Sequence, residues 1–206
     1  MTRHALLIDI GNVIVHFDFS EAAQRFAQRS AVSAEEVFAQ ISTFKDDLES
    51  GTISDEDFIT QSIARTGFRG TRDEFIAIWG DIFTENAPMV SLVRRLHGTV
   101  PLYLFSNTSG LHKQWLFDHF DVFHLFSGGI YSHEAHCMKP HDEIYHAAVS
   151  QYGLDPAQTF YIDDLSANIA TGKRLGFVTH HYAPDDHAAL ERAVGAWLEN
   201  VVVRPE

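Results

Sequence analysis

Asp9, Ser106, Asn107, Asp163 and Asp164 lie far apart in the chain, yet each follows a short apolar run. ALLI precedes Asp9, PLYLF precedes Ser106-Asn107, and TFYI precedes Asp163-Asp164. Lys139 stands before Pro140 in CMKPHDEIY, and a proline there marks a helix start. If the three runs are neighbouring strands, their ends bring carboxylates, a hydroxyl, an amide and an ammonium to one rim. Carboxylates gathered so closely repel, and some would take up protons. A divalent cation removes that cost, and oxygen donors with open water positions suit Mg²⁺. Lys139 adds another positive charge. A cation, a lysine and a hydroxyl around a carboxylate make a site for a phosphoryl group. They neutralise its charge, so that the carboxylate can approach phosphorus as nucleophile.

The elements that would position these groups follow from the pattern around them. The runs at 5–8, 101–105 and 159–162 are apolar without alternation, as buried parallel strands are. Further strands are expected at 176–180 and, more weakly, at 129–131. Helical patterns fall between them at 89–96, 111–117, 143–152, 167–175 and 185–198. Strands alternating with helices predict an α/β fold: a Rossmann-like parallel sheet with helices on both faces. Ligands of such sheets bind beyond the carboxyl ends of the strands, where the polar residues sit. The segment 16–87 breaks the rhythm. It has no convincing strand and four helical stretches, at 21–28, 34–43, 55–65 and 72–83. Ser33 with Glu36, and Ser54 with Asp57, have capping-box spacing. The expected organisation is a core of 1–15 and 88–206 with a helical insertion of 16–87.

Composition narrows the partners. The 206 residues are 45% hydrophobic and 21% charged, which is globular. Lys and Arg number 15 against 28 Asp and Glu, for a net charge of −13. Such a surface repels phosphate backbones and anionic lipid, so neither nucleic acid nor membrane is an expected partner. No apolar run reaches the ~18 residues of a span, and MTRHALLID lacks signal-peptide character, so a cytoplasmic location is expected. The lone Cys137 excludes an internal disulfide and fits a reducing compartment. His133, Glu134, His136, Cys137 and His141 lie close together without paired Cys-x-x-Cys spacing, and read as loop residues near a cleft mouth rather than a zinc site. The sequence carries no sign of the oligomeric state.

Four motifs in order, LLIDIGNV, LYLFSNTSG, MKPHDEIY and FYIDDLSANI, resemble those of the haloacid dehalogenase superfamily. The helical insertion after the first is similar to the subfamily with a helical cap there. With ESGTISDEDF added, nearly the whole chain resembles small bacterial phosphatases acting on α-D-glucose 1-phosphate and similar sugar phosphates. The resemblance implies a Mg²⁺-dependent phosphatase of a small phosphorylated metabolite, working through an aspartyl-phosphate. Asp9 would be nucleophile and metal ligand, and the Gly11 carbonyl a second ligand. Ser106 would hydrogen-bond a phosphoryl oxygen, with the Asn107 amide beside it. Lys139 would bridge nucleophile and phosphate. Asp164 would bind the metal directly and Asp163 directly or through water, while Asn168 would tie the motif loops together.

One position departs from the family pattern. Where a second Asp usually serves as general acid and base stands Gly11. Its carbonyl can hold metal, but it cannot protonate a leaving alkoxide, help worth about 10²–10⁴ in rate. An anomeric phosphate leaves more readily and tolerates that loss better. His16 or Asp18 of the cap is the expected replacement. Phe17, Phe44 and Trp79 are candidates to touch the leaving group. Lys45, Asp46 and Asp47 form a polar knot that faces either the cleft or solvent. Three other readings compete, of which a mutase ranks lower because it would normally keep an acid–base side chain where Gly11 stands. A 2-haloacid dehalogenase of the same fold would use Asp9 on carbon without metal, against which the Asp163-Asp164 pair argues. A catalytically weak binding or regulatory homologue is kept open by Gly11.

Overall fold

Ala5–Ile8 has no polar face, so it is stable only with both sides covered. In the computed structural model, which describes residues 4–202, this segment is β1, the central strand of the main sheet. In chain order there follow β2 (Val15–Phe17), α1 (Ser20–Ala27), α2 (Ala34–Ser42), α3 (Lys45–Glu49), α4 (Asp55–Thr66), α5 (Arg72–Gly80) and β3 (Phe83–Glu85). The remainder is α6 (Ala87–Leu96), β4 (Leu102–Ser106), α7 (Gly110–His119), β5 (Gly128–Tyr131), α8 (Ser132–Ala135), α9 (Asp142–Tyr152), β6 (Thr159–Asp163), α10 (Ser166–Arg174), β7 (Val178–His181) and α11 (His187–Val202).

The main sheet is wholly parallel, in the order β5-β4-β1-β6-β7. Its topology reverses between β1 and β6, where such sheets open a crevice. Ile8 pairs with Leu104 on one side and Ile162 on the other. One residue further along that register lie Asp9, Phe105 and Asp163, so the pairing itself aligns the polar strand ends. Period-two alternation sorts the apolar residues onto two faces. Leu6, Ile8, Leu104 and Ile162 pack with Val90, Val93 and Leu190 of α6 and α11. Leu7, Phe105 and Tyr161 pack with Ile144, Tyr145 and Ala148 of α9. Among the described residues, no helix is long and apolar enough to cross a membrane.

Between β1 and α6 the chain builds a separate apolar cluster around Phe26, Phe44, Phe58, Phe75 and Trp79. Ser33 closes the expected capping box with Glu36, and Thr71 closes another with Glu74. Asp57 is one methylene shorter than Glu and bonds the Ser54 hydroxyl instead of its main-chain N–H. The expectation of no strand in this segment is wrong at both ends. β2 and β3 form an antiparallel ribbon with Val15 opposite Glu85 and Phe17 opposite Phe83. Three-residue strands are too short to show alternation in sequence. The helix expected over 72–83 ends at Gly80, because Phe83 is taken by this ribbon. Asn86 fastens the ribbon to the sheet through its N–H to the Ile14 carbonyl (2.9 Å) and its side chain to Val13 (2.7 Å).

Candidate active site

The structure brings Asp9, Lys139 and Asp163 into direct contact beyond the carboxyl ends of β1 and β6. Lys139 Nζ donates to Asp163 Oδ2 at 2.6 Å and to the Phe105 carbonyl at 2.7 Å, and stands 2.9 Å from Asp9 Oδ1. These three acceptors use all three N–H bonds of the ammonium. The residue is only 4% exposed. Burial alone would lower the Lys139 pKa, but the two carboxylates outweigh it and hold the ammonium charged.

Pro140 does not enter the following helix as the sequence suggested. Met138 to His141 form a turn, closed by the His141 N–H on the Met138 carbonyl at 2.9 Å, and α9 starts at Asp142. Asn107 fixes this turn. Its side chain donates to the Lys139 carbonyl (2.9 Å) and accepts from the Lys139 N–H (2.8 Å). The Ser106 hydroxyl, by contrast, has only a long contact of 3.4 Å with the Asn107 carbonyl.

Asp163 is fully buried, and each of its oxygens has two donors. Lys139 and the Tyr161 hydroxyl, both at 2.6 Å, bond Oδ2. The Leu165 N–H and Asn168 Nδ2, both at 2.9 Å, bond Oδ1. Burial pushes its pKa up, but Lys139 and these donors more than reverse that and keep it below the ordinary carboxylate range. Asn168 therefore ties its helix to Asp163. Tyr161 was missed in the sequence, although it stands two residues before Asp163 and so shares its side of β6.

Asp9 and Asp164 are less well matched. Asp9 Oδ1 accepts the Ile10 N–H at 2.7 Å as well as Lys139, while no described residue donates to Oδ2. Burial pushes the Asp9 pKa up to about 7, against the pull of Lys139 and helped by the charge of Asp163. Asp164 is also raised, first by burial and then by Asp163; its side chain accepts Asn12 Nδ2 at 3.3 Å. Asn12 adopts a left-handed φ of 54°, which Asn tolerates, and turns the chain so that Gly11 faces the cleft. Oxygens of Asp9, Asp163 and Asp164 lie within 4.8 Å of one another. One lysine against three carboxylates leaves this set two positive charges short when all are ionised. All-oxygen donors with an unpartnered carboxylate oxygen fit a hard divalent cation such as Mg²⁺.

Asp9, Gly11, Lys139 and Asp164 form the floor of a cleft of about 250 Å³, whose walls come from the helical insertion and α7; Asp163 is buried and does not line it. Phe17, Phe19, Lys45, Asp46 and Glu49 line it from the insertion, and His112 and Leu116 from α7. His112 is buried, stacked on Trp79 at 4.9 Å, and bonds the Trp79 carbonyl through Nε2 at 3.1 Å. Several sequence expectations fail here. His16 and Asp18 are exposed and do not line the cleft, and Asp18 is spent on the Ser20 N–H at 2.8 Å. Phe44 and Trp79 belong to the insertion's core; only Phe17 of that trio lines the cleft. His136 and His141 are not at its mouth, and His133 bonds the Thr108 carbonyl at 2.7 Å. Of the polar knot, Lys45 and Asp46 do face the cleft, at the start of α3, while Glu49 at the end of that helix went unnoticed.

Comparison with known proteins gives the same architecture. A family model described as haloacid dehalogenase-like hydrolase matches residues 4–176. D-ribitol-5-phosphate phosphatase of Bacteroides thetaiotaomicron is 28% identical over 199 residues, covering 89% of this chain and 92% of that protein. A family enzyme of the same bacterium, solved with magnesium and inorganic phosphate, superposes with a TM-score of 0.78 at 26% identity, covering 88% of this chain and 95% of that one. A predicted family hydrolase from Porphyromonas gingivalis shares the fold, with a TM-score of 0.75 at 24% identity, covering 94% of this chain and 98% of that one.

Proposed function

Because the chain belongs to the haloacid dehalogenase-like hydrolases, we propose that it is a Mg²⁺-dependent phosphatase of a small sugar or sugar-alcohol phosphate, acting through an aspartyl-phosphate on Asp9. One observation carries the reading: Lys139 is clasped between Asp9 and Asp163, with Asp164 beside them, in a cleft at the topological switch point. The name of the ribitol-phosphate relative and the magnesium and phosphate held by the solved Bacteroides thetaiotaomicron enzyme support it. A cleft of about 250 Å³ suits a small metabolite.

The chain's residues divide the work as follows. Asp9 Oδ2, to which no described residue donates, attacks phosphorus. Ser106 donates its loosely held hydroxyl to a phosphoryl oxygen. Lys139 holds Asp9 in place and serves the phosphoryl group by charge, since its three N–H bonds are already committed. Asp163 positions Lys139 and leaves metal binding to Asp9, Asp164 and the Gly11 carbonyl. Mg²⁺ held by these residues would supply positive charge to neutralise the phosphoryl oxygens. The insertion of 16–87 acts as a cap, closing over the substrate and excluding bulk water until one water hydrolyses the aspartyl-phosphate.

The test is phosphate release from a panel of sugar, sugar-alcohol and nucleotide phosphates with and without Mg²⁺. Release is expected only with Mg²⁺, and Asp9→Asn should lower it by at least about 10³-fold, as loss of a covalent nucleophile does. Release that survives a chelator, or halide release from 2-haloacids, overturns the reading. Tight binding of Mg²⁺ and a phosphate mimic with no turnover of any substrate would point to a binding protein instead.

A further inference from the structure

We propose that Glu49 of α3 is the general acid that protonates the leaving oxygen, in place of the side chain that Gly11 lacks. The proposal rests on the phosphatase reading above and adds the group that reading leaves unassigned. The usual place for an acid is empty, and a side chain there would have to push the Phe17 ring slightly aside. A Cβ built on Gly11 would stand 3.1 Å from the Phe17 ring, which covers that spot. The acid must therefore come from elsewhere on the cleft wall.

The wall offers few proton donors. Asp9 is the nucleophile and Asp164 belongs to the cation. His112 commits its Nε2–H to the Trp79 carbonyl, so its other ring nitrogen can only accept. Asp46 is exposed. Glu49 is different. Its side chain is 13% exposed, it lines the cleft, and its nearest charged neighbour, Lys45, is 3.7 Å away. Beyond Lys45, no donor among the described residues holds its carboxyl. Burial pushes its pKa up to about 7, with Lys45 opposing and Asp46 assisting, so a large fraction carries a proton near neutrality. The charged and titratable groups around it are Lys45 and Asp46 on its own helix, and His133 and Glu134 on α8, which packs against α3. His136 lies just beyond, and Asp9, Lys139, Asp164 and His112 stand across the cleft.

The step balances without any further reactant. Asp9 Oδ2 forms the bond to phosphorus as the bond from phosphorus to the leaving oxygen breaks. The electron pair stays on that oxygen, which takes the Glu49 proton and departs as an alcohol. In the second half, water adds its oxygen to phosphorus as the bond from phosphorus to Asp9 Oδ2 breaks and its electron pair returns to Asp9. The proton lost by water goes to solvent, and solvent reprotonates Glu49. Inorganic phosphate leaves, and Asp9 and Glu49 return to their starting forms.

The experiment compares wild type with Glu49→Gln in saturating Mg²⁺, on the best primary alkyl phosphate of the panel and on p-nitrophenyl phosphate. The aryl leaving group needs no proton. Glu49→Gln should lower kcat on the alkyl phosphate by about 10²-fold or more and on the aryl phosphate by less than about threefold. Retained aryl turnover also shows that the variant folds. The wild-type alkyl rate should fall above pH 7, and this limb should be missing in Glu49→Gln. Equal losses on both substrates, no loss on the alkyl phosphate, or a rise in KM with kcat unchanged would each overturn the role of Glu49. If wild type releases phosphate from neither substrate, or Asp9→Asn keeps its activity, the phosphatase reading itself fails.

Discussion

His112 shows how one residue's surroundings fix its chemistry. It lies between the Trp79 ring at 4.9 Å and the Phe83 edge at 5.1 Å. Burial there lowers its pKa from 6.5 to about 4, against the Trp79 carbonyl bond and helped by Lys45. The sign of the consequence follows from linkage. Below pH 6.5 the unfolded chain takes up a proton that the folded chain refuses down to about 4, so stability falls across that window as pH drops. The shift corresponds to about 3 kcal/mol at its acid end. His112→Gln should therefore lose about 2–3 kcal/mol less than wild type between pH 7 and 4.5 in urea unfolding. Parallel pH slopes would show that His112 is not held neutral. The same scale sets what could be read in advance. Asp9 and Asp163 were legible because each stands at the end of an apolar strand, and Lys139 because it precedes Pro140 at the approach to a helix. Glu49 was not, because one Glu in a short polar stretch looks like any solvated helix residue until burial is known.

At the scale of elements, the strands and the longer helices were legible for a physical reason. A parallel sheet covered on both faces needs continuous apolar runs, and capped helices announce their starts. The short elements were not, since β2, β3 and α3 hold three to five residues each and complete no pattern. Yet these carry the cap: β2 and β3 form both connections to the sheet, and α3 brings Glu49 to the cleft. Gly51 sets the position of α3. Its φ is +70°, and an added Cβ would collide with the His133 carbonyl oxygen. Gly51→Ala should cost about 1–3 kcal/mol in stability and, by shifting α3, lower the rate on alkyl phosphates more than on p-nitrophenyl phosphate. Thr71→Ala is the control. It removes the cap of α5, which does not line the cleft, and should cost about 1 kcal/mol with no change in rate. Thermal melts and the two substrates together separate a loosened cap from a displaced α3.

The whole molecule works against its own substrate electrostatically. The net charge is −13, and a phosphate monoester near neutrality is also an anion. Within the cleft the balance is local. Lys139 and Lys45, with the divalent cation the site would hold, face Asp9, Asp46, Asp164 and a Glu49 that is about half protonated near pH 7. Beyond about 10 Å at low salt the distant carboxylates dominate, and the approaching anion meets repulsion until it nears the cleft floor. Salt screens the long-range repulsion first, because the buried attraction at the cleft floor is shielded from solvent ions. Raising ionic strength from about 0.01 to 0.15 M at saturating Mg²⁺ should therefore raise kcat/KM by about two- to fivefold, while kcat, which reports steps after binding, stays level. Replacing several surface carboxylates remote from the cleft by their amides should reproduce the gain at low salt and abolish the salt response. A fall in kcat/KM with salt would mean that attraction from the cleft reaches beyond the acidic surface, and that the negative body plays no part in admitting the substrate.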